Sequence, residues 1–164
     1  MDAVNTLRNV LLHEMKVGIQ STGNLLQKVK AEDWDYRPTD NMRSVKELVW
    51  HLISIPETDL TIMQEKSQEE VAEIERKYEL ESPDQMVTAM NEGYHAFKAY
   101  MTALSDDQFL SKETKPFYLD KGMTQASWLM ETVTHLFHHR AQLFNYLKQL
   151  NYEVNMYDLY PQHL

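Results

Sequence analysis

Leu129-Met130-Glu131-Thr132-Val133-Thr134-His135-Leu136-Phe137-His138-His139-Arg140-Ala141-Gln142-Leu143-Phe144-Asn145-Tyr146-Leu147-Lys148-Gln149-Leu150 decides the fold. Leu129, Val133, Leu136, Leu143, Leu147 and Leu150 recur in helical steps and define one core-facing stripe. The spacing predicts a long helix from about Thr124 to about Leu150.

Working outward, the first helix carries Val4, Leu7, Val10/Leu11, Met15, Gly18/Ile19, Thr22, Leu25/Leu26 and Val29, and is expected to end before Asp33. Trp34-Asp35-Tyr36-Arg37-Pro38-Thr39-Asp40-Asn41 reads as a loop, since Pro38 biases Arg37 towards extended backbone. Ser44-Val45-Lys46-Glu47 is a capping box. It opens a helix that runs towards Met63, with Pro56 predicting a kink. Ser67 and Glu70 form a second box, opening a short surface helix within the acidic stretch Gln64 to Glu81, which reads as a solvated face. Ser82 as cap and Pro83 in the first turn begin a helix whose stripe is Met86, Met90, Tyr94, Phe97, Met101 and Leu104. Ser105 to Met123 reads as an irregular connection with room for a short hairpin, of a length often packed over a pocket. A polar tail with Tyr157, Tyr160 and Pro161 closes the chain. Four long helices and one short one predict an all-α, antiparallel four-helix bundle, a single domain over residues 1–164.

Composition agrees and excludes several functions. The 43% hydrophobic content with only 4 Gly and 5 Pro favours long regular elements over many turns. With no Cys, disulfides, thiolate ligands and a cysteine nucleophile are excluded. The net charge of -9, with no basic stripe, argues against binding nucleic acid. No apolar run approaches a membrane span, and Met1-Asp2-Ala3-Val4-Asn5 lacks signal-peptide features, so a soluble cytoplasmic protein is expected.

The chemistry lies in the histidines. His135 and His139 are four residues apart, so their imidazoles stack on one helix face and can share a divalent cation. On a wheel of about 100° per residue, His139 borders the core stripe beside Trp128 and Tyr146, with His135 slightly further out. His138 points into the polar sector and reads as solvated. His51 borders the stripe of its own helix beside Leu48 and Ile55, so all three can line one seam of the bundle. A lone histidine on such a border is more often a satisfied core residue; the third nitrogen is what makes a metal site worth considering. His13 is a weaker fourth candidate, and His95 and His163 have no evident partner.

Arg140 falls inside the core stripe and needs a carboxylate or several carbonyls. It reads as a buried ion pair or a snorkelling side chain, with a substrate anchor as the alternative. Gln142 falls beside His135 and can orient an imidazole or remain a surface amide. Glu47 is explained by its capping box.

Four pieces carry a family resemblance: the first long helix; Trp34-Asp35-Tyr36-Arg37-Pro38; Ser44-Val45-Lys46-Glu47-Leu48-Val49-Trp50-His51-Leu52; and His135-Leu136-Phe137-His138-His139-Arg140-Ala141-Gln142-Leu143. In order and separation, over nearly the whole chain, they resemble the DinB/YfiT-like metalloproteins. The resemblance implies an up-down-down-up bundle, often a homodimer. It also implies a divalent metal, typically nickel or zinc, held by His51, His135 and His139, the three that the wheel selects independently. The family includes bacillithiol and mycothiol S-transferases, a mycothiol-dependent isomerase and proteins assigned as metal-dependent hydrolases. Many relatives carry Glu after the first His of the last motif and Gly after its Arg; this chain has Leu136 and Ala141, which removes a carboxylate that a hydrolase could use as base.

A dication on three neutral imidazoles acidifies a bound water or thiol. The expected function is therefore metal-dependent S-transfer from a low-molecular-weight thiol to an electrophilic small molecule, with Arg140, Trp34 or Tyr118 as candidate substrate contacts. The alternatives are metal-dependent hydrolysis and a non-catalytic, stress-associated metal-binding bundle.

Overall fold

The computed structural model describes residues 3–160, so His163 and Pro161 lie outside it. Four long helices form the body: α1 (Ala3–Leu26), α2 (Val45–Met63), α4 (Pro83–Ala103) and α6 (Gln125–Gln149). Between them lie α3 (Gln68–Lys77), α5 (Asp106–Ser111) and a two-stranded hairpin, β1 (Glu113–Thr114) with β2 (Met123–Thr124). The hairpin is antiparallel, pairing Glu113 with Thr124 and Thr114 with Met123. A short α7 (Met156–Leu159) ends the described chain. None of the described helices is long and apolar enough to cross a membrane.

Side-chain contacts define the topology. Ascending α1, Gly18 faces Leu136 and Ser21 meets Arg140, so α1 and α6 run parallel. Gly23 faces Val87 while the Leu12 carbonyl accepts from Tyr94, so α1 and α4 run antiparallel. Trp50 reaches the Leu80 carbonyl just before α4, and Pro56 and Glu57 lie against Gly93, so α2 and α4 are parallel. Arg43 meets Tyr146 and Asp59 meets His135, which makes α2 antiparallel to α6. The bundle is up-down-down-up. Two parallel helices in succession need a return segment, and α3 supplies it between α2 and α4.

Caps fix where the helices begin. Ser44 accepts from the Glu47 amide while Glu47 accepts from the Ser44 amide, and Ser67 with Glu70 repeats the arrangement. Each such cap contributes about 1 kcal/mol. Ser82 precedes Pro83 as expected, but its side chain makes no capping hydrogen bond. The first helix stops at Leu26, and Asp33 belongs to a separate single turn, Ala31–Asp33.

The connection from Ser105 is more ordered than expected. Its first half is α5, opened by a box in which Ser105 and Gln108 cap each other, and Phe109 is fully buried beneath it. Arg8 of α1, also buried, pairs with Asp106 at 3.1 Å and lies over the Phe109 ring. The tail is likewise not a simple polar end: Asn155 and Asp158 cap α7, which packs on α1. Lys28 holds Asp158 at 2.5 Å.

At Gly18, helix α1 lies close against Leu136 and Phe137 of α6. A Cβ there would lie 2.5 Å from Leu136 Cδ2 and 3.1 Å from Phe137 Cε2. Only hydrogen fits in that gap. The close approach sets the height of α6, which carries two of the three candidate ligands.

Candidate metal centre

The histidine of α2 and the i,i+4 pair of α6 meet across the seam between these antiparallel helices. His51 Nε2 lies 3.2 Å from His135 Nε2 and 3.0 Å from His139 Nε2. The three form a group whose donor nitrogens all lie within 4.8 Å of one another. Imidazole nitrogens held at about 2.0–2.1 Å by one cation stand roughly 3.0–3.4 Å apart, so the observed separations fit a shared ion. His139 is buried and the other two are half-buried.

The outer nitrogens explain why Nε2 faces inwards. His135 Nδ1 lies 3.2 Å from Asp59 Oδ2, and His139 Nδ1 lies 2.8 Å from Gln142 Oε1. Both oxygens accept, so each Nδ1 carries the proton and each Nε2 presents a lone pair to the centre. A proton on His51 could offer those two lone pairs one shared hydrogen bond at best. A cation satisfies all three, and a carboxylate or amide behind the ligating ring is the usual support for a metal-binding histidine.

Electrostatics keep two of the three imidazoles neutral. Burial, followed by the charges of His139, Arg43 and His135, pushes His51 down to about 3. Burial also lowers His139 to about 4, against its hydrogen bond to Gln142. His135 goes the other way. Burial alone would lower it, but the hydrogen bond and charge of Asp59, with Glu131 behind, raise it above its ordinary value.

The triad opens onto a cavity of about 530 Å³, walled by Ile62, Tyr118, Trp128 and Glu131 beside His51 and His135. Tyr118 thus reaches the site on the hairpin loop between β1 and β2, as a substrate-contact candidate would. Trp34 does not; it packs against the core, and its carbonyl accepts from the Lys46 amide. Glu75 of α3 also faces the cavity, so one residue of the acidic stretch read as a solvated face turns to the site.

Other sequence candidates sort cleanly. His138 is exposed and receives a hydrogen bond from Gln142 Nε2 at 3.1 Å. Gln142 therefore supports His139 and His138, not His135. His13 and His95 are exposed on α1 and α4 and stand outside the triad. Arg140 is 4% exposed and turns away from the histidines. Its Nη1 donates to Ser21 Oγ at 2.9 Å and to the Leu159 carbonyl at 3.0 Å, with its guanidinium over the Phe137 ring. It is a structural cation held by the Ser21 hydroxyl, the Leu159 carbonyl and the rings of Phe137 and Tyr160. Glu47 does more than cap α2, since it also pairs with Arg37 at 2.9 Å.

Two residues escaped the sequence reading. Asp59 lies eight positions after His51, close to two helical turns, as a buried carboxylate between Thr58 and Leu60. Glu131 precedes His135 by four residues and so shares its face. Helical spacing from the ligands would have found both.

The sequence profile of the DinB family matches residues 3–163. The chain belongs to the DinB family. A protein assigned to the DinB family from Exiguobacterium sibiricum is similar to it throughout, with 28% identity over 98% of this chain and 99% of that one at a TM-score of 0.81. The DinB-like protein YjoA of Bacillus subtilis shares 20% identity over 90% of this chain and 96% of its own, with a TM-score of 0.66. YfiT of Bacillus subtilis, described as a probable metal-dependent hydrolase with an unusual four-helix bundle topology, shares 14% identity over 89% of each chain at a TM-score of 0.69. No curated protein matches the chain.

Proposed function

We propose that this DinB-family protein is a metal-dependent enzyme acting on small molecules, with a divalent cation, nickel or zinc, on His51, His135 and His139. The observation that carries the reading is the inward convergence of three Nε2 atoms at 3.0 and 3.2 Å, with Asp59 and Gln142 behind two of the rings. A dication held by neutral imidazoles acts as a Lewis acid that acidifies a thiol or a water.

Thiol S-transfer is the first reaction proposed. The thiol gives up its proton, its sulfur bonds to the electrophilic carbon, and the leaving group departs with the bonding pair. Glu131, on the cavity wall, is placed to take that proton. Burial, then the charge of Asp59, raises its carboxyl above the ordinary range, the direction that makes a carboxylate a better proton acceptor. Ile62, Tyr118 and Trp128 give the electrophile an apolar wall. The same carboxylate also favours hydrolysis as the second reading, since it supplies the base that Leu136 removes from the sequence motif. The description of YfiT points the same way.

Elemental analysis of the purified protein tests the foundation: about one divalent ion per chain is expected, and it should be lost in His139→Ala. Absence of metal, or unchanged affinity in that variant, overturns both readings. Conjugation of a thiol-reactive fluorogenic electrophile that depends on both thiol and protein supports the transferase. Ester turnover without thiol supports the hydrolase. Metal without either activity returns the protein to a binding role.

A further inference from the structure

The flank of the triad opposite Glu131 has the opposite charge. A second cavity of about 510 Å³ is lined there by Arg37, Arg43, Met42, Gln142 and Tyr146. Gln142 is the amide that holds His139. Arg43 also lines a smaller recess of about 190 Å³ together with His51, Trp50 and Ser54. It is therefore common to both spaces and stands beside the ligands.

Arg43 is a cation with its natural partner taken. In a chain with 25 acidic and 16 basic residues, an exposed arginine ordinarily finds a carboxylate. The nearest in sequence are Asp40, at i−3, and Glu47, at i+4. Glu47 Oε2 is already occupied by the Ser44 amide at 2.8 Å and by Arg37 at 2.9 Å. Glu75 and Glu79 line the smaller recess and Asp40 lines the larger, yet none pairs with Arg43. Among the described residues its guanidinium makes no hydrogen bond or ion pair. Its backbone, in contrast, is fixed: its carbonyl accepts from Tyr146 at 3.1 Å, and Ser44, the buried cap of α2, follows directly.

An unpaired guanidinium on an anchored backbone at the edge of a cavity is suited to a carboxylate or phosphate, which it can grip with two parallel N–H donors. Arg37 adds a second positive group, held in place by Glu47 and by the Met42 carbonyl. We propose that Arg43, backed by Arg37, forms an anion subsite on the His51–His139 flank, binding the carboxylate or phosphate group of the small molecule that the site acts on. The proposal rests on the enzyme reading for its role in turnover, but the binding itself is independent of metal. The site then has two unlike sides: an apolar wall with a proton acceptor, and a basic recess that anchors an anionic tail. A thiol or ester carrying such a group would be held by its charge while its reactive atom lies at the triad.

The test is a pair of NMR titrations, with sodium succinate and with inorganic phosphate, on ¹⁵N-labelled protein at constant low ionic strength, both as purified and after chelation. Saturable shifts are expected for the Arg43 side-chain Nε–H and for the backbone amides of Met42, Arg43 and Gln142. Arg43→Gln should weaken binding roughly tenfold or more. Arg43→Lys should give an intermediate affinity. Lys98→Gln, an exposed change on α4, should leave it unaltered. Binding of succinate over phosphate, or the reverse, selects the anion chemistry within the proposal. No saturable shift with either anion, or equal affinity in wild type and Arg43→Gln, overturns it. Because the titration is read with and without metal, its failure is separate from failure of the metal reading.

Discussion

Two glycines on one helix give a sharp test of how α6 is positioned. Gly18 and Gly23 are both buried in α1, and replacing either with Ala should gain about 0.8–1 kcal/mol of helix propensity. Their surroundings differ. A Cβ on Gly23 would meet Val87 at 3.7 and 3.8 Å, which is ordinary contact. One on Gly18 would lie 2.5 Å from Leu136 Cδ2 and 3.1 Å from its Cγ, and Leu136 is fully buried with nowhere open to turn. Overpacking of this kind costs about 1–3 kcal/mol. Gly23→Ala should therefore be stabilised by about 0.5–1 kcal/mol, while Gly18→Ala should range from about neutral to about 2 kcal/mol less stable. The gap of roughly 1–3 kcal/mol is well within the precision of urea denaturation followed by far-UV circular dichroism. Since Leu136 adjoins His135, Gly18→Ala should also weaken metal binding, whereas Gly23→Ala should not. Equal stability of the two variants would refute the argument that hydrogen alone fits between α1 and α6.

Asp59→Asn should fold normally but lower metal affinity about tenfold to hundredfold, measured by competition with a chromophoric chelator, because it weakens the group that orients His135. Arg140→Ala should destabilise the protein by about 1–3 kcal/mol, by leaving the Leu159 carbonyl without its donor and emptying the space on Phe137; limited proteolysis should then cut first near α7. Asp158 is the pH-sensitive end of the same region. Burial works against its charge, but the hydrogen bond from Lys28 wins and leaves its pKa below the ordinary 3.8. A lowered carboxylate stabilises above its unfolded value and loses that contribution as pH falls. Hydrogen exchange in α7 should thus rise only below about pH 4, and Lys28→Gln should remove that step.

The helices were legible because each carries a long apolar period or a reciprocal cap. The triad was legible because i,i+4 spacing and stripe position are local properties that survive into the bundle. What escaped was short or relational. In α5, six residues are too few to show a period, although Ser105 and Gln108 signal its start. With four residues, α7 announced itself only through Asn155 and Asp158. Gln142 sits on the face of His135, but the nearer turn gave it to His139. Arg43 lies in a loop, where no wheel applies, and only the fold brings it beside His51.

The histidine triad also has topological reach. His51 is 84 residues from His135 and 88 from His139 along the chain, yet its Nε2 lies 3.2 and 3.0 Å from theirs. An ion there would close a loop enclosing α3, α4, α5 and the hairpin, more than half of the polypeptide, in the manner of a removable cross-link. Closing a loop of that length restricts an unfolded chain by about 4–5 kcal/mol. Metal supply would then set the lifetime of the protein as well as its chemistry, with the ion-free chain the first to unfold and be degraded.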